Sequence, residues 1–418
     1  MHNEILIFFL YILVFLFIAS DIRIKIQLDV VQFIPKTRVM QNQVFYNTNY
    51  SKISYYVDTI PEREIGHALV SKGFFSLYSK IEENVVLRSI VYVITYTDAF
   101  ISKTSATKRC GIHLRENVKD DDYRDHHTTV GREFYGVIYI QEFYMFGHLV
   151  HDFLTSMMYV PDYVNKSGFV VMKPITGLKI AQDWCNFLHI NAKVVDLKVG
   201  SQIQVNELIA ITGHENTHGV TVGGIKRLRK HIENLLGFDK IKPCKYVLAN
   251  RPKEDRRSII QIDKLFEEVK KIDERFILFN YPIKNLTENA LFWSDIKIFV
   301  GPCGSQMYNS IFMRERTGFC LLFSHMDLPN VQLALASNFF LFGYVSSCEV
   351  ENNFEKIDIS KYIFYIKKVI YCVENNGWDN ETLSTEDSPL VSRFPYKYVK
   401  SMPYVRYGSD NYRIDSQV

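Results

Sequence analysis

Lys297-Ile-Phe-Val-Gly-Pro-Cys-Gly-Ser-Gln-Met-Tyr-Asn-Ser-Ile-Phe-Met313 is the stretch from which the fold is read. Ile296 to Val300 is a short apolar run of the kind that forms a buried parallel strand. Gly301-Pro302 stops it, and Gly304 permits a tight turn. From Ser305 onward, Met307, Tyr308, Ile311 and Phe312 fall at helical spacing. A strand, a glycine turn and a helix start together make an anion site, because amide N–H groups and the helix dipole point out of the turn. The same pattern also fits an ordinary βα unit, so the rest of the chain has to decide.

The alternation extends on both sides. Upstream lie a strand at Tyr246 to Ala249, a helix at Asp263 to Lys271, a strand at Phe276 to Phe279 and a short helix at Glu288 to Ser294. Strands at Cys320 to Phe323 and Phe339 to Val345 follow, separated by a helix. An earlier run has the same rhythm: strands at Tyr135 to Ile140, Phe169 to Met172, Lys193 to Asp196 and Val205 to Ile211, with helices at Gly177 to Leu188 and Gly224 to Leu236. Strands alternating with helices predict an α/β fold of two Rossmann-like domains, each a parallel sheet covered on both faces. The boundaries read from the pattern are 61–240 and 241–350, with a ligand cleft between the domains at the C-terminal ends of the strands. Residues 1–20 read as an apolar leader and 21–60 as a stem. Residues 351–418 read as a C-terminal helix and tail packing back on the first domain.

Composition sets limits. A chain of 418 residues is long enough for two full cores, and a net charge of +3 gives no general pull toward nucleic acid. The seven cysteines (Cys110, Cys185, Cys244, Cys303, Cys320, Cys348, Cys372) contain no CxxC pair, which excludes a zinc ribbon and a thioredoxin motif. Ile5 to Ala19 is an unbroken apolar run bounded by Glu4 and Asp21, with Arg23 and Lys25 after it. Its expected role is entry into the secretory pathway as an uncleaved membrane anchor, with cleavage near Ser20 as the alternative. Acceptor triplets for N-glycosylation begin at Asn49, Asn165, Asn285 and Asn380, about as many as so loose a pattern yields by chance.

Four constellations bear on candidate chemistry. Gly147-His148-Leu-Val-His151-Asp152 places His148 and Asp152 four apart, so on a helix a carboxylate would orient an imidazole or act beside it as a base. Arg251, Arg256 and Arg257 directly follow a strand, where permanently charged, bidentate donors suit a diphosphate. They also fit a solvated charge run with Lys253, Glu254 and Asp255. His214-Glu215-Asn-Thr-His218 matches the zinc-peptidase pattern HExxH, with Glu233 as a conceivable third ligand, but glycines enclose it in a context poor for the helix that chemistry needs. Cys303 at its strand-to-helix turn is similar to a nucleophile elbow, yet the second glycine is Ser305 and His325 follows too closely for the usual order.

Together, in this order and spacing, these segments resemble glycosyltransferase family 61, over roughly residues 135 to 345. The family's Gly-His-x-x-x-Asp-Phe-Leu segment is similar to Gly147 to Leu154. Its arginine-rich stretch after a strand is similar to Arg251 to Leu265, and its Gly-x-His-Gly-Ala-x-x-x-Asn turn to Gly301 to Asn309. The resemblance implies a GT-B architecture, with 61–240 on the acceptor side and 241–350 binding the donor. It implies inverting transfer of a sugar from a nucleotide-sugar donor, mostly UDP-linked, to a protein or glycan acceptor, with no cofactor and no metal. Asp152 or His148 would be the catalytic base. Arg251 with Arg256 or Arg257, and the turn Gly301, Cys303, Gly304, Ser305 and Asn309, would hold the donor. The implied location is the membrane of the endoplasmic reticulum or Golgi, facing the lumen. Three positions depart from the family pattern: Cys303 stands for a histidine, Gln261 for an asparagine and Leu322 for an acidic residue. A relative that keeps the fold as a glycan- or nucleotide-binding protein without catalysis is the alternative, and a zinc peptidase the next.

Overall fold

In a computed structural model, the structure describes residues 49–59, 68–71, 88–102, 128–139, 145–198, 200–213, 222–279, 285–323, 328–346, 354, 357–380, 391–393, 405–407 and 412–414. The expected anchor at 1–20, most of the stem and the motif at 214–218 lie outside these residues. Among the described residues no helix is long and apolar enough to cross a membrane.

The first sheet has six strands: β1 (Asn49–Thr59), β3 (Arg88–Ser102), β7 (Ser201–Gly213), β4 (Thr128–Ile138), β5 (Phe169–Met172) and β6 (Ala192–Val195), in that spatial order. Only its β7-β4-β5-β6 half is parallel. β1, β3 and β7 pair antiparallel, so the expected all-parallel sheet is corrected to a mixed one. A β-branched run such as Ile90-Val-Tyr-Val-Ile-Thr announces a strand, but partner and direction come from long-range register. β1 also turns part of the expected stem into sheet.

The second sheet has the order β13 (Val391–Arg393), β2 (Ala68–Ser71), β12 (Phe340–Val345), β11 (Gly318–Phe323), β10 (Ile296–Pro302), β8 (Lys245–Ala249) and β9 (Phe276–Phe279). It is parallel except for β13. β2 reaches across the expected boundary to extend it at one edge.

Between the sheets lie helix α1, continuous through Phe146–His148, a π-helical stretch Leu149–Leu154 and Thr155–Met157, with α3 (Leu178–Phe187) and α4 (Val222–Leu236). The short α2 (Asp162–Ser167) leads into β5. From the second half come α6 (Leu286–Ser294), the 3₁₀ helix Ser305–Phe312 and α7 (Leu328–Ala336). Apolar residues of all these elements join one continuous core, in which Trp184 of α3 stacks on Phe312 with ring centroids 5.7 Å apart. The facing layers thus share a core.

Alternation along β11 explains the next layer. Phe319, Leu321 and Phe323 face this shared core, while Cys320 and Leu322 face the other side. There α5 (Ile262–Ile272) and α8 (Ile359–Asn375) pack. α8 carries Tyr362, Tyr365, Ile366 and Val369 on one stripe and lays them on β10, β11 and β12, with Tyr365 stacked 4.2 Å from Phe342. Among the described residues the C-terminal helix therefore covers the second sheet, where packing back on the first unit was expected. Its aromatic stripe matches the aromatic face it meets.

Both sheets have a point where chain order reverses. In the second sheet β8 leads outward to β9, and the chain then returns to place β10 on β8's other side. In the first, β4 leads outward to β5 and β6, and β7 returns to β4's other side. Crevices for ligands open at the C-terminal ends of strands flanking such points. The arginine loop leaves β8, the glycine turn leaves β10, and α1 follows β4.

Candidate active site

The loop after β8 is pinched at its base. Asn250 donates from Nδ2 to the Ile259 carbonyl at 2.9 Å and accepts from the Ile259 amide at 2.8 Å. The Ser258 hydroxyl donates to the Arg251 carbonyl at 3.0 Å. This clasp brings Arg251 and Arg257 side by side. Arg257 adopts φ 64°, a left-handed backbone that a non-glycine residue takes at some expense. Arg256, between them, is exposed.

Arg251 and Arg257 converge on the turn that ends β10. A Cβ added to Gly304 would lie 3.2 Å from Nη1 of Arg251 and 3.5 Å from Nη2 of Arg257, and the φ of 145° independently favours glycine. Burial, then the neighbouring Arg257 guanidinium, lowers the Arg251 pKa. Two like charges over a glycine turn and a helix start form a strongly positive cradle. Cys303 is fully buried beside it, its sulfur 3.7 Å from Nη1 of Arg257.

α1 supplies the second group of side chains. His148 Nδ1 lies 2.8 Å from Asp152 Oδ2, and His151 Nδ1 lies 2.7 Å from Asp152 Oδ1. All three are buried, Asp152 completely. Burial alone would push the carboxyl up, but the His151 charge close by and the hydrogen bond from His148 hold it down to about 2. The carboxylate is thus ionised at neutral pH and orients two imidazoles. Thr155 and Ser156 hydroxyls donate to the His151 and Asp152 carbonyls, steadying the wide π turn. Of the two imidazoles, His148 is the less enclosed, at 6% exposure against 2%.

Contact between the groups runs through Gly147. A Cβ there would lie 3.0 Å from two ring carbons of Tyr308 and 3.6 Å from the Ser305 hydroxyl. The helix carrying His148 therefore abuts the 3₁₀ helix that begins at the Gly304 turn. Tyr308 also lies against His151, ring centroids 4.9 Å apart.

The other predicted residues fall elsewhere. A Cβ on Gly301 would lie 2.9 Å from the Ala249 carbonyl, so its smallness lets β8 and β10 approach. Asn309 is buried, accepting from Asn289 at 2.6 Å and donating to the Gln306 carbonyl at 2.9 Å, which ties the 3₁₀ helix to α6. Leu322 lies in the core beneath α8, and Gln261 precedes α5. Among the acceptor triplets, Asn165 accepts from the Asn191 amide, Asn285 caps α6, Asn380 is exposed, and the Asn49 side chain lies outside the described residues. Glu233 pairs with Arg314, so the third ligand conceived for the zinc pattern is engaged elsewhere. Among the described residues, His148, His151 and Asp152 form a group able to hold a metal, with ligand atoms within 4.8 Å. Both Nδ1 atoms already lie on the carboxylate.

From sequence His151 has no assigned role, Tyr308 is only part of an apolar helical face, and Asn250 has no role. An asparagine directly after a strand and a histidine three residues after another were the available signals.

Residues 146–320 match the family model Glycosyltransferase 61. The chain is similar to glycosyltransferase family 61 over this segment. The matched segment begins at the first residue of α1 and ends in β11, so it holds both the His–Asp cluster and the arginine cradle. No curated protein matches the chain.

Proposed function

We propose that the protein is an inverting glycosyltransferase of GT-B type that moves a sugar from a UDP-linked donor to a hydroxyl of a protein or glycan. The observation that carries this reading is the convergence of Arg251 and Arg257 on the Gly304 turn, beside a helix bearing a His–Asp pair. Asp152 is too deeply buried to meet an acceptor, so its role is to hold His148. With Nδ1–H donated to Asp152, His148 presents Nε2 as the base. The acceptor oxygen loses its proton to Nε2 and bonds to the anomeric carbon as the bond to the leaving phosphate oxygen breaks. One such displacement inverts the centre. Arg251, Arg257 and the amides of Gly304 and Ser305 take the charge that develops on the departing diphosphate. The guanidinium pair supplies positive charge that a metal would otherwise supply, and we assign no metal or cofactor. The N-terminal apolar run would anchor the chain in the membrane of the endoplasmic reticulum or Golgi, with the site in the lumen.

A second reading, binding without catalysis, is favoured by Cys303, where a buried thiol stands at a position that the family pattern gives to histidine. A panel of UDP- and GDP-sugars offered to the full chain and to Arg251→Ala separates the two. Saturable binding with slow donor hydrolysis is expected, and the variant should bind about tenfold to a hundredfold more weakly. Binding without turnover would support the second reading, and no binding by folded protein would exclude both.

A further inference from the structure

Arg229 lies on the buried stripe of α4, with Ile225, Leu228 and Ile232, and is only 8% exposed. Its Nη1 donates to the carbonyls of Ser310 and Ile311, at 3.1 and 3.4 Å, and its guanidinium lies 4.9 Å from the centre of the Phe339 ring. Ser310 and Ile311 form the far end of the 3₁₀ helix whose first residue is Ser305. One turn further along α4, Glu233 pairs with Arg314, just beyond that helix. α4 itself packs on β1 and β3.

We propose that Arg229 is a positioning residue for nucleotide binding: it anchors the far end of the donor-turn helix to the first-sheet layer and so sets where the Gly304 and Ser305 amides point. The proposal rests on the donor reading above. A cation at the C-terminal end of this helix satisfies carbonyls there and complements its dipole, while the opposite end faces the anion. Burial lowers the Arg229 pKa to about 10, with Glu315 and Glu233 opposing, so the side chain stays charged at neutral pH. An apolar side chain of similar length would fill the same space without the desolvation cost of a buried charge. The second sheet alone, therefore, does not determine the turn's aim.

The test compares the full chain with Arg229→Met and Arg229→Lys, measuring UDP affinity by calorimetry and amide hydrogen exchange over 304–312. Arg229→Met should bind UDP about tenfold more weakly and exchange faster over 304–312, with β8 and β10 unchanged. Arg229→Lys, which keeps the charge and loses the fork, should fall between. Should Arg229→Met fail to fold, Arg229→Lys gives the same readout. Folded variants with unchanged UDP affinity and unchanged exchange would overturn the proposal. If the wild-type chain binds no UDP, the donor reading fails and takes the proposal with it. Wild-type binding with indifferent variants overturns the positioning role alone.

Discussion

The two halves of the site handle charge in opposite ways. On α1 a fully buried carboxylate is compensated within one helical stretch by His148 and His151, which hold it near pKa 2. On the β8 loop Arg251 is placed beside another cation, which together with burial lowers its pKa. The first arrangement is complete in itself and suits the orienting and moving of a proton. The second concentrates positive charge at a glycine turn and suits an anionic ligand. Substitutions in the two should therefore break different quantities.

The largest effect is expected from Asp152→Asn. The amide removes the charge that orients His148 and permits the wrong tautomer, so donor turnover should fall by on the order of 10²- to 10⁴-fold. UDP affinity should stay within about twofold, because the arginine cradle is untouched. Paired kinetics and calorimetry make the comparison with Arg251→Ala, whose expected loss is in affinity. If Asp152→Asn weakened UDP binding and spared turnover, the division of labour between the two halves would be wrong.

What could be read from sequence tracks how local each feature is. His148 and Asp152 are four apart, and their pairing follows from helix geometry alone. The parallel order of β8 to β12 follows from strand–helix alternation, since a crossover helix separates parallel neighbours. By contrast, β1 and β2 are joined to their sheets by partners distant in sequence, so a stem and part of a first domain were read where these strands lie. The packing of α8 was misplaced for the same reason. Arg256 and Arg257 were indistinguishable because their difference depends on the left-handed φ of Arg257. Arg229 was hidden by its neighbours: on a helix with Lys226, Arg227 and Lys230, an arginine reads as part of a solvated face.

Gly147→Ala tests how tightly the two halves are joined. Alanine favours the helix by about 1 kcal/mol over glycine, but its methyl would press on the Tyr308 ring, itself buried and packed against His151. Overpacking of this kind costs about 1–3 kcal/mol, so the melting temperature should fall by a few degrees at most. A displacement of a few tenths of an ångström between His148 and the Gly304 turn should still reduce turnover, by about tenfold, if the two act as proposed. Unchanged turnover would mean that the contact between α1 and the 3₁₀ helix is packing alone.

Arg256→Ala should have the smallest effect and is the sharpest control on the cradle. Its side chain is exposed, whereas Arg251 and Arg257 on either side of it turn inward to within 3.5 Å of the Gly304 Cβ position. Screening by water and salt leaves an exposed charge little influence on a neighbouring anion, about 1 kcal/mol at most. UDP affinity in Arg256→Ala should thus remain within about fivefold, and Arg257→Ala, one residue on, should lose about tenfold or more. Raising the salt should narrow the Arg256→Ala difference further and leave most of the Arg257→Ala loss in place, because the partly buried guanidinium is less screened. Equal losses from the two alanines would show that the whole basic run acts as a diffuse charged surface, and that the left-handed turn at Arg257 does not select the residue that meets the phosphate.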